Sequence, residues 1–140
     1  MDYYDTYRMV KSEDLNHHGT LYAGRMCEWI VESGFTTVAN KYKHSDNLVC
    51  VKVQEINFNF SLTKGDIINL KSKICYAGVK SLTVYCKVMK NTNDKTFVDG
   101  YLTFVCVDEN KQPMAHNIVI DEPTDENELM IYNKAKSLKK

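Results

Sequence analysis

The chain has 140 residues, 18 of them basic and 18 acidic, so it carries no net charge at neutral pH. Hydrophobic types make up 44% of it, enough for one domain with a packed core and too many for extended disorder. The charge balance argues against a dedicated nucleic-acid surface, which needs a clustered basic excess, though it leaves room for a local phosphate pocket. No stretch approaches the run of about 18 apolar residues that a membrane helix needs.

The start, MDYYDTYRMV, is too polar for a signal peptide, and the cytoplasm is the expected location. Residues 3–10 read as a short first strand. A polar loop follows, crowded with Asp14, Asn16, His17, His18 and Gly19. From about Leu21 the period becomes helical. Tyr22, Met26, Trp29, Ile30, Ser33 and Thr37 recur on one side of a 3.6-residue wheel. Val31, Phe35 and Val38 form a second apolar side, with Glu28 and Glu32 between the two. A helix apolar over so much of its circumference is expected to be largely enclosed, fading between residues 40 and 44. Gly34 interrupts it at a cost of about 1 kcal/mol relative to alanine, which implies a close packing neighbour.

The middle of the chain reads as sheet. Residues 47–62 alternate, with Val49, Val51 and Val53 on one face and Cys50, Lys52 and Gln54 on the other. Ile56, Phe58 and Phe60 then change face, which predicts a bulge near Gln54 or Glu55. Further strands are expected at 67–77, 81–90 and 96–108, joined by a tight connection at 77–81 and a polar turn at 91–96. A mainly antiparallel sheet of four to six strands follows. The five cysteines show no CxxC spacing and read as small buried hydrophobes rather than disulfide or zinc ligands. The last segment predicts a helix capped by Thr124 or Asp125, acidic at its start and basic at its end, where Lys134, Lys136, Lys139 and Lys140 lie. Its apolar stripe is narrow, and the pattern leaves open whether it docks or projects. The fold class is therefore α+β, with one domain over residues 1–122 and a helical extension over 123–140. A single sheet curled round one helix leaves an edge strand and part of a face uncovered, a physical reason to expect a dimer.

A polar loop before a helix start places unpaired amides, here near Ala23 and Gly24, where they stabilise negative charge. Asn16, donor and acceptor at once, can orient a water or a carbonyl; it can equally serve as a loop cap. Glu32 can act as general base on water or attack a carbonyl, or it can be an interfacial salt-bridge partner. Asn16 and Glu32 lie about three helical turns apart, so they are expected to converge only across an antiparallel dimer interface. The adjacent His17 and His18 are expected to diverge, with His18 hydrogen-bonded in the loop or lining the pocket. His116 reads as a surface or interface residue, and Trp29 as core or dimer packing.

The run NHHGTLYAG, Asn16 to Gly24, resembles the N-x-x-G-x-x-(aromatic)-(small)-G signature of hotdog-fold acyl-CoA thioesterases. QEINFNF (54–60), LTKGD (62–66) and AGVKSLTV (77–84) resemble further motifs of that family, in the same order. Leu62 stands where the family has proline, and Lys80 where it has threonine. The resemblance implies a hotdog fold, with a central helix wrapped by a curved antiparallel sheet. It also implies homodimers that assemble into tetramers or hexamers, and hydrolysis of acyl-CoA to a carboxylic acid and free coenzyme A at the dimer interface.

In that family Asn16 matches the loop asparagine, and Gly24 matches the glycine whose backbone helps polarise the thioester carbonyl. The acid position, seven residues after Gly24, falls on Val31. WIVE (29–32) after DLNHH (14–18) is also similar to the pattern of acyl-ACP thioesterases, in which Glu32 is the matching acid, with Glu28 in reserve. His18, Lys80 and Ser81 are the expected contacts to coenzyme A, Lys80 either meeting a phosphate or remaining a solvated turn lysine. No metal or redox cofactor is expected. The alternatives are an acyl-CoA-binding or sensing module without catalysis, and a hydroxyacyl-thioester dehydratase using His18 with Glu32.

Overall fold

The computed structural model describes residues 2–138. Strand β1 (Tyr4–Met9) leads through a polar loop into helix α1 (Ala23–Tyr42). Strands β2 (Leu48–Phe58), β3 (Ile67–Ala77), β4 (Ser81–Lys90) and β5 (Asn93–Cys106) follow, and helix α2 (Glu126–Ser137) comes last. All five strands form one antiparallel sheet in the order β1-β3-β4-β5-β2. The β4–β5 turn is tighter than the polarity of residues 91–96 predicts: pairing begins already at Lys90 with Asn93, because Asp94 and Lys95 point to solvent while the backbone is laddered.

Alternation along the central strands decides which layer each side chain joins. Ile68, Leu70 and Ile74 of β3, Leu82, Val84 and Val88 of β4, and Leu102 and Phe104 of β5 face α1. Met26, Trp29, Ile30 and Val38 of α1 complete that core. The intervening Cys75, Tyr85 and Tyr101 point to the other face, where α2 covers them with Ala135, Ile131 and Leu138. The C-terminal helix therefore docks. Asp125 caps it by accepting from Glu128 N at 3.0 Å, and Lys73 reaches from the sheet to pair with Glu128. Lys134 is not simply solvated, since its Nζ lies 3.5 Å from Glu55 Oε1. Lys139 and Lys140 lie outside the described residues.

The close neighbour that Gly34 implies is Leu102: a Cβ on Gly34 would sit 2.4 Å from Leu102 Cδ1. The predicted bulge is also present. The β2–β5 register shifts between Gln54 and Asn57, with Glu55 at φ 54°. A second shift lies between Cys50 and Lys52. Val49, Val51 and Val53 remain exposed on this edge strand. Three cysteines, Cys75, Cys86 and Cys106, are buried in the sheet, while Cys27 and Cys50 are half-buried; all five are free.

Candidate active site

The loop before α1 is fixed to the helix by Asp14. This buried carboxylate accepts from Lys11 N at 2.9 Å and pairs with Arg25 Nε at 3.2 Å. Asn16 organises the next turn. Its Oδ1 accepts from His18 N (2.8 Å) and Thr20 N (3.2 Å), and its Nδ2 donates to Thr20 Oγ1 at 3.0 Å. A side-chain amide has two donor hydrogens, so one N–H of Asn16 lies outside this set. Asn16 is thus a loop cap, and it also lines the cavity beside the start of α1.

Helix α1 starts at Ala23 with Tyr22 as its N-cap residue, and no side chain caps it. Tyr22 is exposed rather than packed on the apolar side, because its ring folds back over Gly24. A Cβ on Gly24 would lie 2.5 Å from Tyr22 Cε2, so glycine here leaves room for that ring. The amides of the first turn keep the partial positive charge of a helix start.

Two hollows flank this turn. Beside Asn16 lies a cavity of about 260 Å³ between the start of α1 and the segment that follows β2. Along α1 from Gly24 to Phe35 runs a more open groove of about 710 Å³, walled by Cys27, Val31, Phe35 and Val53, with Glu28 and Glu32 on it. Glu32 is not enclosed as its place on the helix predicts. Its side chain is 61% exposed and pairs with Arg8 of β1, whose guanidinium lies 5.2 Å from the Trp29 ring centroid. Exposure follows from the geometry of the sheet, which wraps α1 from β1 round to β2 and leaves the helix face between these two edges open. Glu28 is likewise exposed and 3.3 Å from Arg25 Nη1. Burial pushes the Cys27 thiol up, which keeps it protonated and poor as a nucleophile.

The remaining predicted residues lie elsewhere in the protomer. Lys80 and Ser81 form the β3–β4 turn, at the end of β3 remote from the Asn16 loop; eleven residues of strand at about 3.4 Å each separate them. Ser81 O accepts from Gly78 N and lies 2.9 Å from His116 Nε2. His116 is buried rather than superficial, its ring linking Ser81 O to Ile118 N. His18 is exposed, and its ring rests against His17 at 3.9 Å instead of diverging. Its link to Asn16 is through its backbone. Sequence reasoning missed Arg8, Thr20 and the Asp14–Arg25 pair. Thr20 had a legible signal, a hydroxyl four residues from an asparagine in a tight turn. Arg8 had none, because its partners come from another element.

No family model matches the chain. It is 27% identical over 126 residues to YkhA of Bacillus subtilis (strain 168), an uncharacterized acyl-CoA thioester hydrolase, covering 87% of this chain and 71% of that protein. A hexameric acyl-CoA thioesterase crystallised without ligand superposes with a TM-score of 0.81 at 28% identity, over 96% of this chain and 86% of the other. An acyl-CoA hydrolase from Staphylococcus aureus, in complex with butyryl coenzyme A, coenzyme A and coenzyme A disulfide, gives 0.82 at 26%, over 96% and 82%. In fold, and at this level of identity in sequence, the chain is similar to hotdog-fold acyl-CoA thioesterases. Two structures of the staphylococcal member carry alanine in place of an asparagine and of an aspartate, fifteen positions apart in that chain. In this chain the position fifteen residues after Asn16 is Val31, with the carboxylates Glu28 and Glu32 on either side of it in the helix.

Proposed function

We propose that this protein hydrolyses acyl-CoA thioesters in a homodimer. The observation that carries the reading is the placement of Asn16: its free N–H and the uncapped first turn of α1 border a hollow able to take the acyl end of a thioester. The carbonyl oxygen accepts from Asn16 Nδ2 and from the amides near Gly24. These donors stabilise the charge that grows as water adds, at a magnitude of about 10²–10³ in rate for one such donor. Glu32 of a second copy takes the water's proton, the new C–O bond forms, and the C–S bond breaks. Thiolate leaves without strong acid assistance because a thiol ionises near pH 8.5.

A second copy is called for on physical grounds. Strand β2 ends the sheet with Val49, Val51 and Val53 exposed, and the groove beside it is apolar apart from its two carboxylates. Pairing these edges antiparallel covers both surfaces and brings the acid of one helix toward the loop of its partner. The same association brings the distant Lys80 and Ser81 of one copy within range of coenzyme A held by another, and larger assemblies follow the hexameric relative. Cytoplasmic residence fits a helix set in which none of the described helices is long and apolar enough to cross a membrane.

A second reading, acyl-CoA binding without turnover, is favoured by one observation. Fifteen positions after Asn16 this chain has Val31, and Glu32 is engaged by Arg8. Release of free thiol from acyl-CoAs decides between them, with Glu32→Gln, Glu28→Gln and Asn16→Ala compared with wild type. Loss in Glu32→Gln and Asn16→Ala supports the assignment. Loss in Glu28→Gln alone moves the acid to Glu28, and no release from any of the four proteins favours binding alone.

A further inference from the structure

The chemistry proposed above uses no group from the segment between β5 and α2, yet that segment buries a histidine. His116 is 7% exposed, and a polar ring out of water is costly unless its nitrogens find partners. Both do. Ile118 N can only donate and lies 2.9 Å from Nδ1, while Ser81 O can only accept and lies 2.9 Å from Nε2. One neutral tautomer satisfies the two together, with the proton on Nε2 and Nδ1 bare. The His116 amide also donates to Val79 O at 3.4 Å. Ring and backbone of one residue thus hold two carbonyls of the β3–β4 turn, one on each side of Lys80.

That turn is closed without them: Gly78 N donates to Ser81 O at 2.9 Å, and Cys106 N to Lys80 O at 3.1 Å. What the extra ties fix is the direction of the turn's tip. Lys80 is exposed there, and no ion pair among the described residues involves it. A lysine ammonium rides on a flexible stem, so its charge serves a chosen point only if the backbone beneath it is held. Resting on the hydrolase reading, which brings Lys80 and Ser81 of one copy to coenzyme A held by another, we propose that His116 is a positioning residue for the coenzyme. Its Nε2–H bond to Ser81 O holds the turn so that the Lys80 ammonium meets a coenzyme A phosphate. His116 touches neither the coenzyme nor the reacting carbonyl. Its effect belongs to affinity for the nucleotide end and not to the chemical step.

The test compares wild type with Lys80→Ala, His116→Gln and His116→Asn on an acyl-CoA and on the same acyl group carried by pantetheine, which keeps the thioester and lacks the nucleotide phosphates. Thiol release gives kcat and KM for both substrates, calorimetry gives the Kd of free coenzyme A, and thermal unfolding confirms that the variants fold. Glutamine extends an N–H to about the reach of Nε2 and keeps the bond to Ser81 O; asparagine puts its carbonyl near Nδ1, keeps Ile118 N and loses the turn. Lys80→Ala and His116→Asn are expected to raise KM for acyl-CoA and Kd for coenzyme A by about three- to tenfold, the scale of one charge-assisted contact. In both, kcat and the pantetheine KM stay unchanged, and His116→Gln behaves as wild type. Glutamine and asparagine equally impaired on both substrates would reduce His116 to a support of the fold and overturn the proposal. Lys80→Ala, changed at an exposed side chain, tests it even where the histidine variants unfold: coenzyme A bound as tightly as by wild type overturns it too. No thiol release from any of the four proteins, with Kd still rising in Lys80→Ala and His116→Asn but not in His116→Gln, sinks the hydrolase reading and leaves the positioning role standing.

Discussion

Asn16 commits three of its hydrogen-bonding sites to its own loop, and in the function proposed above its remaining N–H serves the substrate carbonyl. The loop partners aim that donor, so Thr20 matters without touching substrate. Thr20→Val removes the hydroxyl that accepts from Nδ2 and is expected to lower kcat several-fold with little change in KM, whereas Asn16→Ala lowers kcat by about 10²–10³; steady-state thiol release on both variants checks this. Val31 stands on the groove between two carboxylates that arginines already engage. Val31→Asp places an unpaired carboxylate where the family signature has its acid and is expected to raise the rate of thiol release above wild type. An unchanged or lower rate in a folded variant would leave Glu32 as the better assignment. The loop asparagine was legible in the sequence because its motif is local. Arg8 was not, since the contact that engages Glu32 comes from a strand 24 residues away and no spacing rule connects them.

At the level of elements, periodicity identified α1, α2 and the four long strands, and it erred where side chains obey something other than burial. Tyr22 has the helical spacing of a core residue but serves as the N-cap residue and turns over Gly24. The bulge was readable from the change of face after Gln54, and its consequence is visible in β5. Ile56 crosses Gly100 so closely that a Cβ there would lie 2.1 Å from Ile56 Cδ1 and 3.3 Å from Ile56 Cα. Gly100→Ala is therefore expected to destabilise the fold by about 1–3 kcal/mol, the usual range for overpacking, as read by urea titration; a variant as stable as wild type would mean the bulge yields freely. Whether α2 docks could not be decided from its narrow stripe, because its partners Cys75, Tyr85 and Tyr101 lie on strands whose outward face is known only once the sheet is assembled.

The whole molecule is a sheet covered by a helix on each face, and the two covers place titratable groups out of water, Cys86 under α1 and Cys75 and Tyr85 under α2. Burial pushes the Cys75 thiol up to about 12 and the Cys86 thiol to about 11, from an ordinary value of 9.0. Burial, reinforced by the Asp99 carboxylate beside it, raises Tyr85 as well. Each group's folded value lies above its unfolded one, so the stability it contributes is complete below about pH 9 and is lost as pH rises from there toward 12. Melting temperature is expected to be level up to about pH 9 and to fall above it, and Cys75→Val should make that fall shallower. A melting curve independent of pH through this window would contradict the burial of the thiols.

The bare β2 margin has one more consequence. As the last strand of the sheet, fronted by three exposed valines, it is a template for another strand, and what takes that place depends on how many molecules are present. Resistance to heat should accordingly climb with the amount of protein in the tube, as mass action requires of any assembly that forms only from folded chains. A lysine at Val51, in the middle of that margin, should abolish the dependence and leave the thinly populated solo chain to be studied by itself.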